Sequence, residues 1–226
     1  MGSAALSVLG SPAPTTVRRS TGLRAWPVAA LASSVGLIGG ALTSFGQGVA
    51  PGGWHALVNS GSSWVMAAFL MGLCARGHWP RASMAGLLSQ AGLVLGYSVA
   101  SELRGFPVEA RFVAIWLVTG AIAGPVFGAA GALLRDGRRR IRTAAAGVTG
   151  SVWLIEGAYF LSLATDDNSS SGAGTTAGWC YLCVGVLLPV ALARSVRDRA
   201  YAVLALLVSA GAAGGALALV SAAFLA

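Results

Sequence analysis

"FVAIWLVTGAIAGPVFGAAGALL", residues 112–134, is a run of 23 residues without one charged side chain. At 1.5 Å per residue a helix of that length measures about 35 Å, enough to cross the ~30 Å hydrocarbon core of a bilayer. Comparable apolar stretches occur on both sides of it, and the chain divides into seven spans: 28–49, 58–75, 82–103, 112–134, 143–165, 177–193 and 201–225. The fold class is therefore all-α, a polytopic transmembrane helical bundle. Composition agrees, with 56% apolar and 10% charged residues and a mean hydropathy of +0.75. A soluble domain of this size needs more charge to cover its surface. Residues 25–226 read as one membrane domain, and residues 1–24 as a disordered cytoplasmic tail. The arginines in that tail follow its weak apolar stretch, the reverse of a cleavable signal.

The formal charge of +8 comes from fifteen arginines and no lysine. A nucleic-acid partner is not expected, because the arginines lie in short connections and no basic patch is interleaved with aromatics. Their distribution carries topology instead. Three lie in the tail, two at 76–81, five at 135–142 and three at 194–199, so alternate connections hold thirteen of the fifteen. The other side holds only Arg104 and Arg111, beside Glu102, Glu109, Asp166 and Asp167. The positive-inside rule then places the N-terminus in the cytoplasm and the C-terminus outside.

Glycines repeat every four residues at Gly120/Gly124/Gly128, Gly36/Gly40, Gly92/Gly96 and Gly211/Gly215. Such faces let helix backbones approach closely in lipid, where no hydrophobic force draws helices together. They serve packing within the bundle or self-association into a homo-oligomer, and both stay open.

Glu156 is the one acid deep inside a span. A carboxylate there is normally paired, protonated or beside water. It reads either as interhelical glue or as a ligand, ion or proton site, with Tyr159 on the same helix face. Arg104 and Arg111 are its natural partners across the external side, unless they pair with the nearby acids. The uncharged stretch "GQGVAPGGWHALVNSGSSW" (46–64) adds Gln47 and Asn59 to the candidate ligand-binding set. A second span beginning at Ser62 is too short to cross, whereas one beginning near Val58 draws Asn59 and Ser60 into its first turns. The stretch reads either as a dipping, pre-helical segment at the outer surface or as a plain interfacial loop with a tryptophan belt; in both, the helix end is capped by Asn and Ser, with free N–H groups favouring an anion.

Little else carries chemistry. Cys180 and Cys183 form a C-x-x-C without further ligands and are expected to be buried thiols. His55 and His78 fall on opposite sides of the membrane. No phosphate loop, nucleophilic triad or paired metal carboxylates occur, so no enzyme, metal or cofactor is expected.

The runs "LTSFGQGVAPGGWHALVNSGSSWVMAAFLMG" (42–72) and "RGFPVEARFVAIWLVTGAIAGPVFGAAG" (104–131) resemble an uncharacterised actinobacterial family of small multi-pass membrane proteins with a domain of unknown function. The likeness covers roughly residues 30–195. It implies an integral plasma-membrane protein, with the lipid bilayer as its partner, and supplies no activity and no functional residue. Two function classes remain: binding or transport of a small-molecule ligand from the external face, and a non-transporting scaffold or assembly protein.

The seven-span topology predicts thiol accessibility. In a cysteine-free background, an impermeant reagent should modify Ser170→Cys from outside and Arg138→Cys only after permeabilisation. The reverse pattern, or equal labelling, contradicts the topology.

Overall fold

The computed structural model describes residues 25–51, 54–75, 78–164 and 174–225. The expected tail at 1–24 and Asp166 and Asp167 lie outside the described residues. Eight helices account for nearly all of the rest: α1 (Ala25–Val49), α2 (Trp54–Val58), α3 (Gly61–Cys74), α4 (Trp79–Leu103), α5 (Ala110–Leu133), α6 (Arg139–Ala164), α7 (Gly174–Leu192) and α8 (Val196–Leu225). Six of them are long and apolar enough to cross a membrane, and α3, with 14 residues, is not.

The register of the helices shows that α3 nonetheless returns the chain across the bundle. Gly36 sits against Ser89 and Gly92, Gly40 against Leu93 and Tyr97, and Ser44 hydrogen-bonds Ser101 at 2.9 Å. Residue numbers rise together in α1 and α4, so the two helices are parallel. A chain can run parallel to itself only after coming back, and α2 and α3 are the only segment between. We call the face at which α1 and α4 end the far face. By the same reasoning α7 returns the chain between α6 and α8, since Gly147 packs on Ala202 and Leu206 while Gly214 lies near Ile155. The chain thus passes along the bundle seven times, six times by helices of membrane-spanning length and once by α3, about 21 Å long.

The second span differs from the sequence expectation in one respect. No continuous helix starts near Val58. The chain forms the single turn-and-a-half of α2, breaks at Asn59 and Ser60, and starts α3 afresh at Gly61. Ser60 takes an extended conformation (φ −127°, ψ 152°), and its Oγ accepts from the Ser63 N–H at 3.2 Å. Serine competes for backbone groups in this way, which ends one helix and caps the next.

The glycine faces do what their spacing implies. Gly120, Gly124 and Gly128 of α5 lie against Gln90, Gly86 and Ala82 of α4, an antiparallel contact. Gly128 also meets Gly72 of α3. A Cβ on Gly86 would stand 2.0 Å from the Gly124 carbonyl oxygen, and one on Gly40 2.1 Å from that of Leu93. No side chain fits at such separations. Gly211 and Gly215 depart from this: a Cβ on either would meet nothing within 4 Å among the described residues. Where α3, α5 and α6 converge, Val65, Phe69, Phe127 and Ala145 form a buried apolar cluster.

At the face opposite the far face, Asp198 opens α8 and is 3% exposed. Its carboxylate accepts from Arg139 and, at 3.4 Å, from Arg142, both on the first turn of α6. The acid is placed favourably at a helix N-terminus and offsets two cations at another, where they alone would oppose the helix dipole. In the neighbouring connection, the Arg138 backbone N–H and guanidinium hold the partly exposed Asp136 carboxyl below its usual range.

Gly124→Leu should therefore destabilise the bundle by about 3 kcal/mol or more, since overpacking a backbone contact forces helices apart. Gly211→Leu, at an open position, should be neutral. Thermal unfolding of both variants in one detergent checks the pair; equal melting temperatures would show that the α4–α5 contact is not load-limiting.

Candidate functional site

The polar centre of the bundle is the N-terminus of α3. Glu156 of α6 lies eight residues before the end of its helix, hence about 12 Å below the far end of α6. Its Oε1 accepts from the Gly61 N–H at 2.8 Å, and its Oε2 from the Ser62 N–H at 2.8 Å. The Ser62 hydroxyl donates to the same Oε2. Together with the Ser60 Oγ bond to Ser63 and the Trp64 N–H bond to the Ser60 carbonyl, every N–H in the first turn of α3 has a partner. The Tyr181 hydroxyl of α7 donates to Ser60 Oγ at 2.9 Å, and the Tyr181 ring rests between Trp153 and Phe160. Two helices of the C-terminal half thus hold the start of a helix in the N-terminal half.

This corrects two expectations. The N–H groups at the start of α3 are not free for an outside anion, because Glu156 is the anion that occupies them. Nor does Arg104 or Arg111 reach Glu156. Arg104, at the end of α4, donates to the carbonyl and hydroxyl of Ser44 on α1, with the Phe45 and Phe106 rings each 5.0 Å from its guanidinium carbon. Arg111 donates to the Ala223 carbonyl near the end of α8. Each arginine finds a carbonyl at the far end of a neighbouring helix, where the dipole favours a cation.

Because α3 starts so deep, the volume above it is not filled by helix. A cavity of about 480 Å³ occupies that space at the far face. Trp64, Tyr97, Phe112, Trp116 and Phe224 line its apolar part, and Gln47, His55, Asn59, Arg104 and Glu109 its polar part. Of the residues singled out from sequence, Gln47, Asn59 and Arg104 are brought together here. Glu156 stands apart, behind the first turn of α3. Tyr159 is exposed on the outside of α6, with its ring against Phe160, and Arg111 is not among the lining residues.

Several site residues escaped the sequence reading. Gln90, 3% exposed in mid-α4, donates its Nε2–H to the Trp64 carbonyl at 2.7 Å and so fixes the depth of the cavity floor. An amide inside "LLSQAGLVLG" was a usable signal. The buried indole N–H groups of Trp64 and Trp153 have no hydrogen-bond partner among the described residues. Beyond α2 lies a second cavity of about 600 Å³, lined by Trp54, Leu57, Trp153, Tyr181 and Cys180 among others. α2 is the wall between the two, presenting His55 to one and Trp54 and Leu57 to the other. Cys180 and Cys183, expected to be buried, are exposed. The face of α7 that packs is Gly178, Tyr181, Gly185 and Pro189, which turns both thiols outward.

A model of a family of unknown function, DUF6518, matches residues 19–223. This chain belongs to that family. The match extends beyond the 30–195 resemblance at both ends and takes in all the residues that line the cavity except Phe224. Comparison with curated proteins finds no match, and comparison with solved structures finds none either.

Glu156→Gln should lower stability by about 2–4 kcal/mol, since one amide group would face N–H donors and charge-assisted bonds are lost. Tyr181→Phe removes a single neutral bond and should cost about 1 kcal/mol. Melting curves of the two variants test the ranking; an unperturbed Glu156→Gln protein would mean that the carboxylate does not hold α3.

Proposed function

We propose that this protein binds a small solute in the far-face cavity, as a receptor or uptake component of the plasma membrane, and that the far face is the external one. The observation that carries the reading is the cavity above the truncated α3. It combines an aromatic floor with a few convergent polar groups, the usual make-up of a small-ligand site. Two details support it. Arg104 lines the cavity with no carboxylate in ion-pair range among the described residues, which leaves its guanidinium to meet an anionic or polar solute. Trp64 has a buried N–H beside the same space with no partner among the described residues, and such donors are rare unless something takes them up. The orientation rests on the thirteen-to-two arginine distribution in the sequence.

A scaffold or assembly role is the second reading, and one observation favours it. Glu156, the residue with the strongest sequence claim to ligand chemistry, is fully engaged in holding α3.

The two readings part in a cysteine-free background carrying Asn59→Cys. An impermeant thiol reagent should label this position from outside, and a solute that raises the melting temperature should slow the labelling. Ser98→Trp, which fills the cavity from α4, should abolish the solute effect while the protein still folds. A broad screen in which no solute shifts melting leaves the scaffold reading.

A further inference from the structure

We propose that the solute held in the far-face cavity is a flat aromatic monocarboxylate with a hydrogen-bond acceptor at its far end, the carboxylate lying on Arg104 and the acceptor on the indole N–H of Trp64. The inference rests on the binding reading above and names the class of solute.

The floor supplies the first part of the argument. Trp64 stands in the first turn of α3 and is 7% exposed. Its backbone is engaged: the N–H donates to the Ser60 carbonyl, and the carbonyl accepts from the Gln90 amide. Its ring packs on Tyr97 and Trp116, with centroids 6.0 and 5.7 Å away. None of these neighbours takes the indole N–H, which is buried without a partner among the described residues. A buried donor is costly to leave unmet, and the cavity that Trp64 lines is the space in which an acceptor can stand. Phe112 and Phe224 extend the aromatic lining, which favours a flat aromatic guest. The hydroxyls nearby are already used, since Ser98 donates to Val94 at 2.8 Å and Ser101 pairs with Ser44 at 2.9 Å. A polyhydroxy solute would therefore lose more hydrogen bonds to water than this lining returns.

The mouth supplies the second part. Arg104 commits its Nη1 to the carbonyl and hydroxyl of Ser44, with the Phe45 and Phe106 rings against the guanidinium. Its Nε and Nη2 have no partner among the described residues. Those two N–H groups lie side by side on one edge of the guanidinium, a spacing that matches the two oxygens of one carboxylate. Gly48 leaves room for that edge, because a Cβ there would stand 2.6 Å from Nη2. Glu109, exposed at the rim of the same cavity, disfavours a second negative charge and hence a phosphate dianion. From Val94 to Arg104 the cavity follows α4 for about 15 Å, which gives room for two fused rings between the two ends.

The test uses full-length protein in mild detergent and three probes of one shape. Quinoline-6-carboxylate carries both the charge and the acceptor, naphthalene-2-carboxylate lacks the acceptor, and quinoline-6-carboxamide lacks the charge. Affinities are read by titration calorimetry. Wild type should bind the first roughly tenfold or more tighter than either of the others. Trp64→Phe keeps an aromatic ring and should erase the preference for the ring nitrogen while sparing the preference for the charge. Arg104→Gln should do the reverse. The ranking of the three probes on wild type decides the matter even where a variant folds poorly. Equal affinity for the quinoline and naphthalene acids would show that the Trp64 N–H recognises no solute, and overturns the proposal. So does a carboxamide that binds as tightly as its acid. If none of the three binds, yet another solute raises the melting temperature and slows labelling of Asn59→Cys, this class is overturned and small-solute binding in the cavity stands.

Discussion

Everything at the far face depends on one carboxylate meeting the start of one short helix. The first turn of an α-helix presents N–H groups that its own backbone cannot satisfy, and in a membrane no water is at hand to satisfy them. A helix can therefore begin inside a bundle only where something else accepts those protons. Glu156 does so with both oxygens, Ser60 takes the next donor, and Tyr181 steadies Ser60. The energetic interests of the two groups coincide. The buried carboxylate needs donors, and the helix end needs an anion. Without the pair, α3 would have to extend upward to reach water, and the space above it would be filled by backbone.

The rest of the bundle is built to keep that start at its depth. Gln90 grips the Trp64 carbonyl, and Gly72 lets α3 lie directly on α5. α5 in turn lies directly on α4 through Gly124 and Gly86, and α4 on α1 through Gly92 and Gly36. Contacts made by backbone on backbone have little freedom to adjust, because no side chain can change rotamer to absorb a shift. The glycine faces thus act as a ruler that sets the height of α3 against its neighbours. At the opposite face the Asp198 pairs with Arg139 and Arg142 fix α6 against α8, and so fix the helix that carries Glu156.

Much of this was legible in the sequence, and the parts that were not share a cause. Spans announce themselves by local apolarity, and the four-residue glycine spacing directly specifies one helix face, so the bundle and its tight α5 contact could be read from residues near one another. The break at Asn59 and Ser60 was half legible: the stretch was visibly polar and the following helix visibly short. Glu156 stood out as an acid in an apolar span. That the acid answers the break could not be read, because the two lie 95 residues apart and nothing local links them. The arginines misled for a related reason. Charge complementarity pointed Arg104 and Arg111 at Glu156, yet carbonyls at the ends of α1 and α8 were nearer. Hydrogen-bonding backbone is present at every helix end and leaves no mark in the residue pattern.

The distance in sequence between cap and helix also bears on how the protein is made. When α3 leaves the ribosome, the residue that completes its first turn has yet to be synthesised. At about 5–20 residues per second, the 95 residues from Gly61 to Glu156 take roughly 5–20 s to appear. Through that interval α1, α4 and α5 can assemble on their glycine faces, but α3 has an unfinished end. It must either wait near the interfacial water or borrow a partner from lipid head groups. The second half of the chain is thus a late fastening for the first, and a truncation before α6 would leave five helices in place with one of them unable to settle.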